Sequence, residues 1–137
     1  ITKLEIDTIS DLIKDVEFKA DNFSKSIKYV KAGDFVYLDP PYAPETSKSF
    51  VGYIADGFTI EMHKELFAET KNLSQVNELQ QPNKKDESKK IYFVMSNSDV
   101  EIVKDSFSKY KICKVLARRA INSKNPESRT TEVIIYN

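Results

Sequence analysis

Residues 37–44 read YLDPPYAP, and the neighbouring groups in that stretch are equipped for chemistry. Asp39 brings a carboxylate that accepts hydrogen bonds through both oxygens. Pro40 brings a main-chain carbonyl whose direction the Pro40-Pro41 pair locks, because each ring fixes φ near about −65° and holds the preceding residue extended. Tyr42 adds an aromatic face. An acid, an aimed carbonyl and a stacking ring in a row suit a planar amine. A turn that merely ends a strand would also use two prolines, since neither donates a ladder hydrogen bond, so the surrounding elements have to decide.

DFVYL, residues 34–38, is a continuous apolar run rich in β-formers, as expected for a strand buried on both faces, and it delivers the chain straight into Asp39. Upstream, TISDLIKD places Ile9, Leu12 and Ile13 on one face with Thr8 and Asp11 at capping-box spacing, which predicts a short helix. DVEFKA alternates Val16, Phe18 and Ala20 as a strand would, and SKSIKYV suits one or two helical turns that Gly33 stops. Downstream, TIEMHKELFAETKNL has Thr59 as N-cap, Glu61 in the first turn, and Ile60, His63, Leu66, Phe67 and Leu73 near helical spacing. Residues 74–90 are polar and too long for an ordinary connection, so a mobile insert is expected. IYFVMS reads as a second doubly buried strand, and SDVEIVKDSFSKY as a helix opened by a Ser98–Glu101 capping box. KICKVLARRA and EVIIYN read as a closing strand pair.

The alternation of strand and helix predicts an α/β domain with a mostly parallel twisted sheet, helices on both faces and a final antiparallel pair. Ligands of such sheets bind outside the carboxyl ends of the strands, near a topological switch point. Asp39 and the run Ser96-Asn97-Ser98-Asp99 both occupy such ends.

The 137 residues suit one domain, 40% of them hydrophobic, and 21 Lys and Arg balance 21 Asp and Glu. No overall charge therefore argues for nucleic acid or membrane. From residue 104 onward, Lys104, Lys109, Lys111, Lys114, Arg118, Arg119, Lys124 and Arg129 face only Asp105, Glu127 and Glu132. A solvated face and a phosphate-contacting surface explain that bias equally well. One cysteine excludes a disulfide framework or a multi-cysteine metal site within the chain, and no metal is expected. Cys113 is expected as a buried strand residue rather than a nucleophile, since the single histidine, His63, belongs to an unrelated helix. No apolar run reaches the roughly 18–20 residues that span a bilayer, and no signal pattern opens the chain. A soluble, cytoplasmic protein is expected, and the missing initiator methionine suggests a piece of something longer.

Taken in order, DFVYLDPPYAP, SFVGYIADGF, FVMSNSD and ARRAINSKNPESRTTEVIIYN resemble the Dam-like, D12-class DNA adenine N6-methyltransferases. The tetrapeptide DPPY occurs in other amino-methyltransferases too, but the RRAINS and TEVIIYN ending points to this class. The resemblance implies a Rossmann-like fold, S-adenosylmethionine as methyl donor and double-stranded DNA as substrate, in a prokaryotic or viral setting that includes restriction-modification. By similarity, Asp39 accepts one N6 proton of adenine and the Pro40 carbonyl the other, with Pro41 locking the turn. This draws a lone pair otherwise delocalised into the ring toward attack. Tyr42 would stack on a base flipped out of the duplex. The same resemblance lets Asn22 or Asp21 hydrogen-bond the cofactor's adenine beside Asp39, with Phe23 packed on that ring or simply in the core. Lys48, Phe50 and Tyr53 fall in the family's loop beside the target pocket, as DNA contacts or as packed and solvated residues. Arg118 and Arg119 either face DNA phosphate or pair with Glu132. Ser96 and Asn97 either line the pocket, or Ser98 and Asp99 cap the following helix.

The pattern departs from the family upstream. Family members begin with a Phe-x-Gly-x-Gly loop that wraps the cofactor and a target-recognition region, and Gly33, Gly52 and Gly57 form no such loop. Residues 1–137 are therefore expected to be the C-terminal part of a catalytic domain, inactive alone, with the missing N-terminal half of the same enzyme as partner. The alternatives are an RNA or protein-amide N-methyltransferase and a non-catalytic DNA-binding subunit. Amide-modifying relatives usually carry Asn where Asp39 stands, and a structural subunit need not keep Asp39.

Overall fold

The computed structural model describes residues 1–44, 57–80, 89–118 and 129–137, with the backbone alone for 75–80. Helix α1, Lys3–Leu12, opens on a capping box in which the Thr2 hydroxyl accepts from the Glu5 amide and the Glu5 carboxylate accepts from the Thr2 amide. The box expected at Thr8 and Asp11 does not form, because Thr8 lies inside the helix and its hydroxyl donates to the Leu4 carbonyl. Residues 16–20 are not a strand either, and Val16 and Phe18 are exposed. An alternating pattern becomes a strand only where a neighbour completes its hydrogen bonds, and no described strand runs beside this one.

Asn22 then caps α2, Phe23–Ser26, which passes into a 3₁₀ turn at Ile27–Tyr29. Gly33, at φ 90°, makes the corner into strand β1, Phe35–Leu38. Helix α3, Ile60–Gln80, starts where the Thr59 hydroxyl accepts from the Met62 amide at 3.2 Å. It runs through Gln80, so the polar stretch that begins at 74 opens as helix, while 81–88 lie outside the described residues. Strand β2 (Tyr92–Ser98), helix α4 (Glu101–Ser106), and strands β3 (Lys111–Arg118) and β4 (Arg129–Tyr136) complete the chain.

The four strands form one sheet in the order β1-β2-β4-β3. β1 lies parallel to β2, with Leu38 opposite Met95, and α3 provides the crossover that a parallel pair requires. β4 runs antiparallel to both β2 and β3. Among the described strands the sheet is therefore mixed rather than mostly parallel, since 16–20 adds no strand. β2 and β4 are central, and their Phe93, Met95, Val133 and Ile135 form the core with Phe67 of α3, Val103 of α4 and Phe107.

The outer strands differ from the sequence expectation for one reason. Among the described residues β1 has a strand neighbour on one side only and a covering layer on one face only, so Val36 and Leu38 are half-buried while Phe35 and Tyr37 are exposed, instead of being covered on both faces. β3 is the opposite edge, and Cys113 faces solvent rather than the core.

Candidate active site

β1 and β2 are parallel, so their carboxyl ends lie side by side, and Asp39 follows β1 where Ser96, Asn97 and Ser98 end β2. The ladder stops at Leu38, which leaves Asp39 outside it and exposed. Ser96, buried, donates its hydroxyl to Asp39 Oδ1 at 2.5 Å. Among the described residues no hydrogen bond uses the Pro40 carbonyl. An exposed carboxylate and a carbonyl that no described residue engages thus follow one another at the end of β1.

The loop that carries them is anchored just beyond Tyr42. The Ala43 amide donates to Asn97 Oδ1 at 2.9 Å, and the Ser98 hydroxyl donates to the Ala43 carbonyl. Ala43 itself packs into the main core beside Phe67 and Met95. Ser98 is thereby committed to the loop and does not cap α4, whose N-cap is Val100 with no side-chain bond. Asp99 does not cap it either. It pairs with Lys114 at 2.6 Å and Lys104 at 3.5 Å, and the Lys114 contact above all holds its carboxyl below the usual range.

Two environments meet at Asp39. On one side a cleft of about 200 Å³ is lined by Phe23, Tyr37, Leu38, Asp39, Pro40, Pro41, Phe58 and Leu66. That is below the range of about 300–1,000 Å³ typical of drug-sized ligands. Phe23 and Phe58 stand with ring centroids 5.8 Å apart on its apolar side. On the other side Tyr42, half-buried, donates its hydroxyl to Glu132 Oε2 of β4 at 3.1 Å. Burial is the main cause that pushes the Tyr42 phenol above its ordinary pKa, while the neighbouring Ser96 hydroxyl works against the shift.

Of the residues singled out from the sequence, the structure brings together Asp39, Pro40, Pro41 and Phe23 around the cleft, with Tyr42 next to them outside its lining. Asn22 is close in sequence but its side chain is engaged in capping α2, accepting from the Ser24 amide. Asp21 is held by Lys25 and by the Tyr29 hydroxyl. Arg118 is exposed at the end of β3, opposite Arg129, and Glu132 is committed to Tyr42. Lys48, Phe50, Tyr53 and Arg119 lie outside the described residues.

The sequence matches the model of the D12 class N6 adenine-specific DNA methyltransferases over residues 2–121. The chain belongs to that family. A Type II methyltransferase of Lactococcus lactis subsp. cremoris is 30% identical over 142 residues, which cover 100% of this chain and 45% of the relative. A DNA adenine methylase of Haemophilus influenzae is 27% identical over 109 residues, 79% of this chain and 34% of the relative. The Retron Ec67 DNA adenine methylase of Escherichia coli is 26% identical over 131 residues, 96% of this chain and 40% of the relative. The chain spans less than half the length of each of them.

Sequence reasoning about this D12-class site missed Tyr37 and Phe58. Tyr37 had a signal: it stands two residues before Asp39, and side chains two apart on a strand share a face. Phe58 closes the run SFVGYIADGF that the resemblance uses, but nothing in the sequence set it beside Asp39, because it reaches the cleft from the entry to α3.

Proposed function

We propose that the Asp39 site grips the exocyclic amine of an adenine flipped out of double-stranded DNA and holds it for methylation at N6. In this reading β1, β2 and β4 are part of a Rossmann-like methyltransferase sheet. Asp39 accepts one N6 proton and the Pro40 carbonyl the other. With both N–H bonds engaged, the lone pair is drawn out of conjugation and pointed along one line, which converts binding into orientation. S-adenosylmethionine, when bound, supplies the electrophilic methyl group. The cleft walled by Phe23 and Phe58 suits the flat adenine of that donor, with Asp39 at the border between donor and target. Tyr42, fixed through its hydroxyl, offers its ring to the flipped base, for which base–aromatic stacking contributes about 1–3 kcal/mol.

The observation that carries this reading is the placement of Asp39: an exposed carboxylate at the end of a parallel strand, steadied by a buried serine, beside a carbonyl that no described residue engages, in a D12-class chain. The test uses the complete protein, tritiated S-adenosylmethionine, and DNA, RNA and protein offered in parallel. Label is expected in DNA adenine, and Asp39→Ala is expected to lower turnover by at least about 10²–10³-fold. Normal turnover of Asp39→Ala, or label in RNA or protein instead of DNA, would overturn the reading.

A further inference from the structure

Ser96 is 3% exposed, yet it reaches the site. Its Oγ lies 2.5 Å from Asp39 Oδ1 and 3.4 Å from the Leu38 carbonyl oxygen. A hydroxyl has a single proton to donate, and the shorter contact to a carboxylate takes it. The same hydroxyl neighbours the Tyr42 phenol. Its own position is set by β2, the most buried strand, where Ser96 pairs with Ile134 of β4.

The asymmetry of the Asp39 carboxylate matters here. Oδ1 is taken by Ser96, while no hydrogen bond among the described residues uses Oδ2. An exposed aspartate left to itself spreads over several rotamers, and its terminal torsion turns freely between its two oxygens. A donor rooted in the rigid centre of the sheet removes that freedom. We infer that Ser96 is a positioning residue for the amine site: by holding Oδ1 it dedicates Oδ2 to one N6 proton of the target adenine. This rests on the reading of Asp39 given above.

Steady-state methylation by the complete protein, with Ser96→Ala, Ser96→Thr, Ser96→Cys and Asp39→Ala compared, tests it alongside thermal unfolding. A hydrogen bond to a charged group, lost from orientation rather than binding, predicts that Ser96→Ala lowers kcat by about ten- to a hundredfold with KM for DNA and donor unchanged. Its Tm should stay near that of the parent, because the Asp39 oxygen left behind is exposed to water. Ser96→Thr keeps the hydroxyl and should restore kcat to within about threefold. If the added methyl prevents Thr from folding, Ser96→Cys, a weak donor of similar size, should fall between serine and alanine. Ser96→Ala with parental kcat, or with its loss confined to KM, overturns the inference. If the parent is active, Asp39→Ala is inactive and Ser96→Ala is unimpaired, the function stands and the role of Ser96 falls. An inactive parent, or an active Asp39→Ala, overturns the function itself and the inference with it.

Discussion

Tyr42 shows how a local motif depends on a distant residue. DPPY fixes the order of acid, carbonyl and ring over four positions, but what fixes the ring is Glu132, from a strand 90 residues later. That Asp39 and Pro40 share one site was legible because they are adjacent letters, whereas Phe23 was named only through the resemblance and reaches the same cleft from 16 residues upstream. The partnership with Glu132 was not, since it depends on the register that sets β4 against β2, with Ser98 opposite Glu132. The energetic consequence can be measured. Tyr42→Phe removes the donor and leaves Glu132 half-buried, which is expected to cost about 0.5–1.5 kcal/mol in a urea titration, with partial exposure reducing the value for a charged acceptor. The pH dependence has a definite sign. Burial raises the phenol pKa above its ordinary 10.0 in the folded protein, so the stabilisation is complete below about pH 10 and is lost as pH rises through that value and beyond. The stability difference between parent and Tyr42→Phe should therefore shrink above pH 10.

The elements that position the site follow from sequence wherever a strand or helix is stabilised by its own pattern and a close neighbour. Thr59 opens α3 as its capping side chain implied, and β2 is as buried as its apolar run required. The pattern at 16–20 failed because alternation describes only half of a strand, the other half being its partner. The Ser98–Glu101 box failed because the Ser98 hydroxyl, at the carboxyl end of central strand β2, is turned to donate to the Ala43 carbonyl instead of accepting from the first amides of a short helix. α3 carries a further consequence. His63 is 1% exposed, stacked edge-on against Phe58 at 4.7 Å and tilted on Phe67 at 5.8 Å, and its Nδ1 has no partner among the described residues. Burial holds its pKa below the ordinary 6.5. The unfolded chain thus takes up a proton near pH 6.5 that the folded chain resists. The stability that His63 contributes is complete above that pH and falls as pH drops through 6.5 toward the folded value. Melting curves at pH 7.5 and 5.5 should show a larger loss for the parent than for His63→Phe, and equal losses would refute the assignment.

At the scale of the molecule, the composition of β1 and its surroundings disagree in an informative way. Phe35 and Tyr37 are 65% and 60% exposed on one face, and Leu4, Ile6, Ile9 and Leu12 of α1 are exposed as well. A strand that lies parallel to its neighbour ordinarily has both faces covered, which is why its residues read as a continuous apolar run. The run DFVYL led to the expectation of a strand covered on both faces, and among the described residues one face of β1 has no cover. Such a surface should be adhesive. The outer side of β1 also presents main-chain groups that no described strand pairs, and a formal net charge of +0 provides no long-range repulsion to keep copies apart. The 137-residue polypeptide expressed by itself is therefore expected to bind a hydrophobic dye and to sediment as concentration-dependent oligomers. Phe35→Glu places a charge on the uncovered face without touching the cleft lining, and should reduce both signals while leaving the secondary structure intact. A monomeric, dye-silent parent would mean that the apolar face of β1 is sheltered by the chain's own residues, and the association would then have no physical basis.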